Sequence, residues 1–141
     1  MNALLSGIYI TPHQWAQMET DVANKAPEEA CGFVVGNGDH AQFIIPVTNS
    51  LHDANRFRMD PEEQLSAFLL VEEKGWEILA VYHSHPHGIS RPSATDYNEL
   101  TFPGILYLIW YQEAFQWYCR GYIMEAQAGT GEVPVFISIS P

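Results

Sequence analysis

The chain has 141 residues, enough for one domain around one core, and its 47% apolar and 13% aromatic content excludes intrinsic disorder. Its 17 acidic residues against 6 basic ones give a formal net charge of −11, which repels phosphate backbones and anionic lipid headgroups and argues against nucleic acid or membrane as a partner. No apolar run reaches the roughly 18 residues of a membrane span, and the opening MNALLSGIYITPHQ lacks the basic start and small-residue cleavage site of a secretory signal.

Thr11 and Pro12 precede Trp15, Met18 and Val22, which fall on one face of a helix over about 12–24, with Thr11 as N-cap and Pro12 at the first helical position. APEEACGFVVGNGDHAQFIIPVTNS reads as two strands joined by a tight turn at GNGD, where Gly and Asn tolerate positive φ. Phe57 to Met59 is a candidate short strand. DPEEQLSAFLLVEEKG follows as a helix capped by Asp60, started by Pro61 and ended by Gly75, with Leu65, Phe68 and Leu69 toward the core. WEILAVYHSH is a buried strand, SATDYNEL a short helix start, and three strands follow at about 105–111, 115–125 and 133–139. Two substantial helices among six or seven strands predict a single α+β (α/β/α) domain over 1–141 with a mixed sheet. Cys31 and Cys119 lie far apart in apolar stretches, so free buried thiols in a reducing, cytoplasmic compartment are expected rather than a disulfide.

The chemistry concentrates in AVYHSHPHGISRPSATDYNEL. His83 and His85, two apart at the end of a strand, project to one face, where two imidazoles can share an ion at the Zn–N distance of roughly 2.0–2.1 Å. Pro86 stops the strand behind them. The plainer alternative is a pair of part-buried histidines bonded to backbone. Ser93 and Asp96, three apart, form a capping box on a short helix, or Asp96 is a third ligand. A catalytic zinc needs three protein ligands and an open place, and hydrolysis needs a carboxylate to move the proton. Glu28 and Glu29 stand at the mouth of a hydrophobic strand; Glu29 shares the parity of Cys31 and Phe33, and Glu28 points the other way. Spacing alone does not say which face meets the metal.

Glu29-Ala-Cys-Gly, then His83-Ser-His85-Pro, six residues, then Ser93-x-x-Asp96 resembles the signature of the JAMM (MPN+) metalloprotease family, and the resemblance extends over nearly the whole chain. It implies a cytidine-deaminase-like fold, a mixed curved sheet flanked by helices. It further implies Zn²⁺ on His83, His85 and Asp96, Glu29 as general acid/base, and Ser93 Oγ as oxyanion donor, in which case its capping role is shared or given up. The implied reaction is hydrolysis after the C-terminal glycine of a ubiquitin-like or sulfur-carrier protein bearing a Gly-Gly tail. Only YNELTFPG separates Asp96 from the next strand, which leaves no room for the long insertions of eukaryotic deubiquitinating members and favours the compact prokaryotic type.

Elsewhere, His87 reads as a solvent-facing loop residue, and His13, His40 and His52 as structural or exposed. Trp110, Tyr111, Phe115, Trp117 and Tyr118 read mainly as core, with one or two able to line a groove for the tail. NSLHDANRFRMDPEE is positioned to pair with an extended tail. A silent scaffold that binds a ubiquitin-like partner is the alternative function; it fits poorly because every ligand and the glutamate are present. A zinc deaminase would require P-C-x-x-C, which is missing.

Overall fold

The computed structural model describes residues 6–125 and 129–137. In chain order the elements are β1 (Ile8–Ile10), α1 (Pro12–Lys25), β2 (Cys31–Asn37), β3 (His40–Val47), α2 (Pro61–Lys74), β4 (Glu77–His85), α3 (Ala94–Asn98), β5 (Leu106–Glu113), β6 (Gln116–Glu125), β7 (Gly129–Val133) and β8 (Val135–Ile137). Eight strands form one mixed sheet in the order β7-β6-β5-β4-β2-β3-β1-β8. β7 and β8 sit at opposite ends of that order, yet Pro134 alone separates them in the chain. A sheet under that constraint must curl almost into a barrel.

Period-2 alternation in β4 divides the interior. Ala80 and Tyr82 join a cluster with Ile8, Met18 and Val22 under α1, whereas Val81 joins Phe33, Val35 and Ile109 on the other face. Burial of each such side chain contributes about 1.5–3 kcal/mol. Tyr82 donates its hydroxyl to Asp21 Oδ2 at 2.6 Å, tying α1 to β4 one residue before His83. The ring needs Gly32 beside it: any side chain there would collide with the Tyr82 ring and the Ile45 carbonyl.

Helix α1 starts as expected, with Thr11 as N-cap and Gln14 completing a capping box. Helix α2 also has its expected ends, Asp60 accepting from Glu63 N and Gly75 left-handed at φ 68°. Its interior differs from expectation. Leu65 and Leu69 are 58% and 57% exposed and Phe68 38%, and Ala67 is the residue it buries fully. The apolar stripe is present, but the helix rests on the sheet by a neighbouring face, with Phe68 tilted onto Phe33 and edge-on to Phe102. Phe57 to Met59 forms no strand; one bridge, Asn49 to Met59, stands in its place. The last expected strand is broken at Pro134, which has no N–H for a ladder bond, and its residues 138–139 lie outside the described ones. Both cysteines are free; Cys31 is buried, which pushes its thiol up to about 12. Among the described residues no helix is long and apolar enough to cross a membrane.

Candidate metal centre and active site

Strand register brings the site together. Cys31 of β2 pairs with His83 of β4, and the ladder continues past the strand end, with Ser84 N donating to Ala30 O at 3.1 Å and Ala30 N donating to Ser84 Oγ at 2.8 Å. That continuation sets Glu29 opposite His85. Glu29 is 2% exposed. Glu28 faces outward, where its Oε1 meets His52 Nδ1 at 3.0 Å. The parity left open by the sequence resolves with Glu29 on the histidine side.

Asp96 comes from the first turn of α3. Ser93 caps that helix, its Oγ accepting from Asp96 N at 3.0 Å, while Asp96 Oδ2 accepts from Ser93 N at 2.8 Å. The same carboxylate reaches both imidazoles, with Oδ1 at 3.2 Å from His83 Nε2 and Oδ2 at 3.0 Å from His85 Nε2. The two Nε2 atoms are 3.2 Å apart. Glu29, His83, His85 and Asp96 are all buried, and each offers one ligand atom within 4.8 Å of the others. Capping and convergence on the histidines therefore coexist in one side chain.

Proton counting favours a cation at that point. His85 Nδ1 lies 2.8 Å from Ile89 O, an acceptor only, so the ring's proton belongs on Nδ1 and Nε2 carries a bare lone pair. That lone pair faces a carboxylate oxygen and a second imidazole nitrogen. Such a convergence is repulsive unless a proton or a metal ion sits among the three atoms. A tetrahedral site with arms of about 2.0–2.1 Å has edges of roughly 3.3 Å, close to the observed 3.0–3.2 Å separations. Phe57 stacks on His83, ring centroids 4.8 Å apart, and fixes the plane of that ring. The donor set fits a divalent cation.

Electrostatics separates the carboxylates. Burial opposes ionisation of Asp96, but the two imidazoles and the Ser93 amide outweigh it and hold the acid well below its ordinary range. For Glu29, burial dominates; His85 opposes it, Asp96 adds a smaller repulsion, and the pKa is pushed up to about 8. Its Oε1 is buried without a hydrogen-bond partner. One carboxylate is thus fixed as an anion beside the imidazoles, and the other stands off holding a proton near neutral pH. That is the division of labour expected of a ligand and an acid/base.

Two cavities flank the cluster. One of about 300 Å³ is walled by Arg56 to Met59, His83, Asp96 and Phe102; the other, about 140 Å³, is walled by Glu29, Ala54, Asn55, His87, Ile89 and Ser93.

The family described as prokaryotic homologs of the JAB domain matches residues 12–120. The chain belongs to that family. Over 90 residues this JAB chain is 36% identical to a desampylase of Haloferax volcanii, covering 62% of the chain and 65% of the relative. Over 85 residues it is 33% identical to the CysO-cysteine peptidase of Mycobacterium tuberculosis, covering 59% and 58%. A probable TtuB-protein conjugate cleaving protease of Thermus thermophilus is 30% identical over 94 residues, covering 65% and 62%. The chain thus spans less than two thirds of the length of each of these relatives. Among solved structures, a Desulfitobacterium hafniense protein superposes with a TM-score of 0.85 at 30% identity over 94% of both chains. A JAB1/MPN domain protein of Archaeoglobus fulgidus, 18% identical, shares the fold with a TM-score of 0.56 over 93% of this chain and 99% of its own.

Of the aromatic strands, Trp110 and Tyr111 are core as expected, and none of the five aromatics walls either of the two cavities. Trp110 is fully buried and Phe115 is 98% exposed at a hairpin tip. The rings beside the His83 cavity are instead Phe57, Phe102 and Tyr107. His13, His40, His52 and His87 are exposed. Sequence reasoning also passed over Asn49, which is 3% exposed beside Glu29; an isolated polar residue in a loop has no periodicity to mark it.

Proposed function

We propose that the chain is a single JAB-type domain across residues 1–141 that acts as a zinc metallopeptidase or isopeptidase. The substrate is the amide bond after the C-terminal glycine of a ubiquitin-like or sulfur-carrier protein with a Gly-Gly tail. The observation that carries this reading is the 3.0–3.2 Å convergence of His83, His85 and Asp96 beside a buried carboxylate that holds its proton to about pH 8. The names of the relatives, peptidase and conjugate-cleaving protease, point to the same chemistry.

His83, His85 and Asp96 would hold the ion. Zinc bound there supplies Lewis acidity toward water and toward a carbonyl oxygen. With the cation in place its charge would favour the ionised form of Glu29, which would take the proton from the attacking water and hand it to the departing amine, a role that requires a pKa near the working pH. Ser93 keeps both of its assignments. Its oxygen accepts from Asp96 N, which leaves the hydroxyl proton free to donate to the tetrahedral oxyanion, a contribution of about 2.7–4 kcal/mol. A leaving amine must lie within reach of Glu29, so it occupies the smaller cavity, and the glycine tail extends through the larger one past Phe57.

Incubation of the pure protein with linear fusions to the tails of several small ubiquitin-like proteins tests this. Mass spectrometry should place the cut directly after the terminal glycine. A chelator should abolish cleavage and added zinc restore it. Cleavage that survives removal of the metal would sink the proposal.

A further inference from the structure

We infer that Asn49 is the positioning residue for Glu29, holding the strand end that carries the acid/base and the loop that walls both cavities in one fixed relation. The inference rests on the peptidase reading for its kinetic consequence and on hydrogen-bond geometry for its structural one.

Asn49 is 3% exposed and lies just past the end of β3. Its Nδ2 donates to Glu29 O at 3.0 Å and to Arg56 O at 3.1 Å, with a longer approach to Asp53 O at 3.4 Å. Its Oδ1 accepts from Leu51 N and from Arg58 N, both at 3.1 Å. An amide side chain has two N–H donors and two acceptor lone pairs, so its capacity is full. Every partner is main chain. The Glu29 peptide is held from the other side as well, because Glu29 N donates to Asp53 O at 2.8 Å. Both backbone groups of the acid/base are therefore bound to a loop that Asn49 organises, and neither belongs to a sheet ladder.

The loop from 50 to 58 has no regular secondary structure to set its shape. It nonetheless supplies Ala54 and Asn55 to the cavity beside Glu29, and Arg56 to Arg58 to the cavity beside His83. It also carries the Phe57 ring that stacks on His83. The candidate ligands belong to β4 and α3, to neither of which Asn49 makes a hydrogen bond. Loss of Asn49 should therefore displace the carboxylate most, whereas the ligand-bearing backbone of β4 and α3 keeps its own ladder and cap and the centre is disturbed only through the Phe57 stack on His83. Misplacement of a reacting group by about 1 Å can cost about a hundredfold in rate.

Two variants test it. Asn49→Ala removes all of these bonds. Asn49→Asp keeps the acceptor for Leu51 N and Arg58 N but has no N–H for Glu29 O. Three readouts are taken on folded protein well below the melting temperature: zinc dissociation constant, steady-state kinetics per metal-loaded molecule, and amide hydrogen exchange. For Asn49→Ala, zinc affinity should stay within about threefold of wild type. Exchange at the Glu29, Leu51 and Arg58 amides should quicken at least about tenfold, with β4 and β5 unchanged, and kcat should fall about ten- to a hundredfold. For Asn49→Asp, Leu51 and Arg58 should remain protected while kcat falls and KM stays within about twofold. A purely structural residue would lower the melting temperature and leave kcat per folded molecule alone. Wild-type kcat in either folded variant, or unchanged exchange at Glu29 in Asn49→Ala, overturns the inference. A wild-type protein that cleaves no tail fusion defeats the peptidase reading instead, and the exchange result then decides whether Asn49 clamps Glu29. Should Asn49→Ala fail to fold, the kcat of Asn49→Asp decides between the two outcomes by itself.

Discussion

The same capping box opens two helices of this molecule, and only one of them has chemistry attached. At α1, Thr11 Oγ1 accepts from Gln14 N at 3.2 Å and Gln14 Oε1 accepts from Thr11 N at 2.9 Å. The remaining Gln14 amide donates to Ala41 O at 3.0 Å, which fastens the helix to β3. At α3, Ser93 and Asp96 make the same reciprocal pair, but the third-position side chain is an anion and what it meets beyond the cap is two imidazoles. The neutral box finishes in a backbone carbonyl. The charged box finishes in a set of donors that fits a cation. Local motif and function are thus separable: the cap fixes where the side chain starts, and the residue type and its register partners decide what it does.

The largest break in that comparison is Asp96→Asn. Asparagine still accepts from Ser93 N, so the helix start survives, but the anionic ligand is gone. If a third of a zinc binding free energy of about 10–16 kcal/mol is lost, affinity falls about three hundred- to eight thousandfold, and activity with it. Competition against a chelating dye measures this. Gln14→Glu, which makes the α1 box anionic, should leave zinc affinity where it was, because no imidazole faces it.

Glu29 sharpens the contrast through pH. In the metal-free protein its folded pKa is about 8, against an ordinary 4.5. Between those values the folded chain keeps a proton that the unfolded chain has released, so stability falls as pH rises. The contribution is whole below about pH 4.5 and gone above about pH 8. Glu29→Gln lacks this titration. Its stability should therefore gain on that of the wild type by a margin that widens from pH 5 to pH 8 and reaches a few kcal/mol, read from thermal or denaturant unfolding. Added zinc, which favours the ionised carboxylate, should narrow the gap. A gap that stays constant across that range would contradict the buried, protonated carboxylate.

Residue type explains how much of this was legible beforehand. His83 and His85 were legible because a strand has a period of two, and a proline marks where it stops. Asp96 was legible only as a cap or a ligand; in the structure it caps α3 while its carboxylate also reaches both imidazoles. Glu29 could be separated from Glu28 by parity but not assigned a face until Cys31 paired with His83, a long-range register that no local pattern encodes. Leu65 and Leu69 were misplaced for a related reason: an apolar stripe reports what a helix could bury, whereas the packing angle of α2 on the sheet decides what it does bury. Phe57, Phe102 and Asn49 come from loops, where side-chain direction follows from turn geometry and long-range bonds rather than from spacing.

Ser93→Ala comes next in size, because it removes the cap and the proposed oxyanion donor at once. Loss of the oxyanion donor should lower kcat about a hundred- to a thousandfold, and loss of the cap should cost about 1 kcal/mol. Ser93→Thr keeps the hydroxyl and should recover most of both. A kcat unchanged in Ser93→Ala would reduce Ser93 to a cap, the counterpart of Thr11.

Thr11→Ala gives the smallest effect and completes the comparison. It removes the acceptor for Gln14 N but leaves the Gln14 side chain, with its bonds to Thr11 N and Ala41 O, in place. The cost should be about 1 kcal/mol, a drop of about 3–5 °C in melting temperature for a domain of this size. Zinc affinity and kcat should both stay at wild-type values when measured well below the transition, because the Thr11 cap lies at the start of α1, whereas the Tyr82–Asp21 bond beneath His83 and the packing of Met18 and Val22 on β4 come from later turns. A kinetic defect in Thr11→Ala without a matching loss of stability would mean that α1 transmits strain along β4 into the histidines, and the two boxes would no longer be independent.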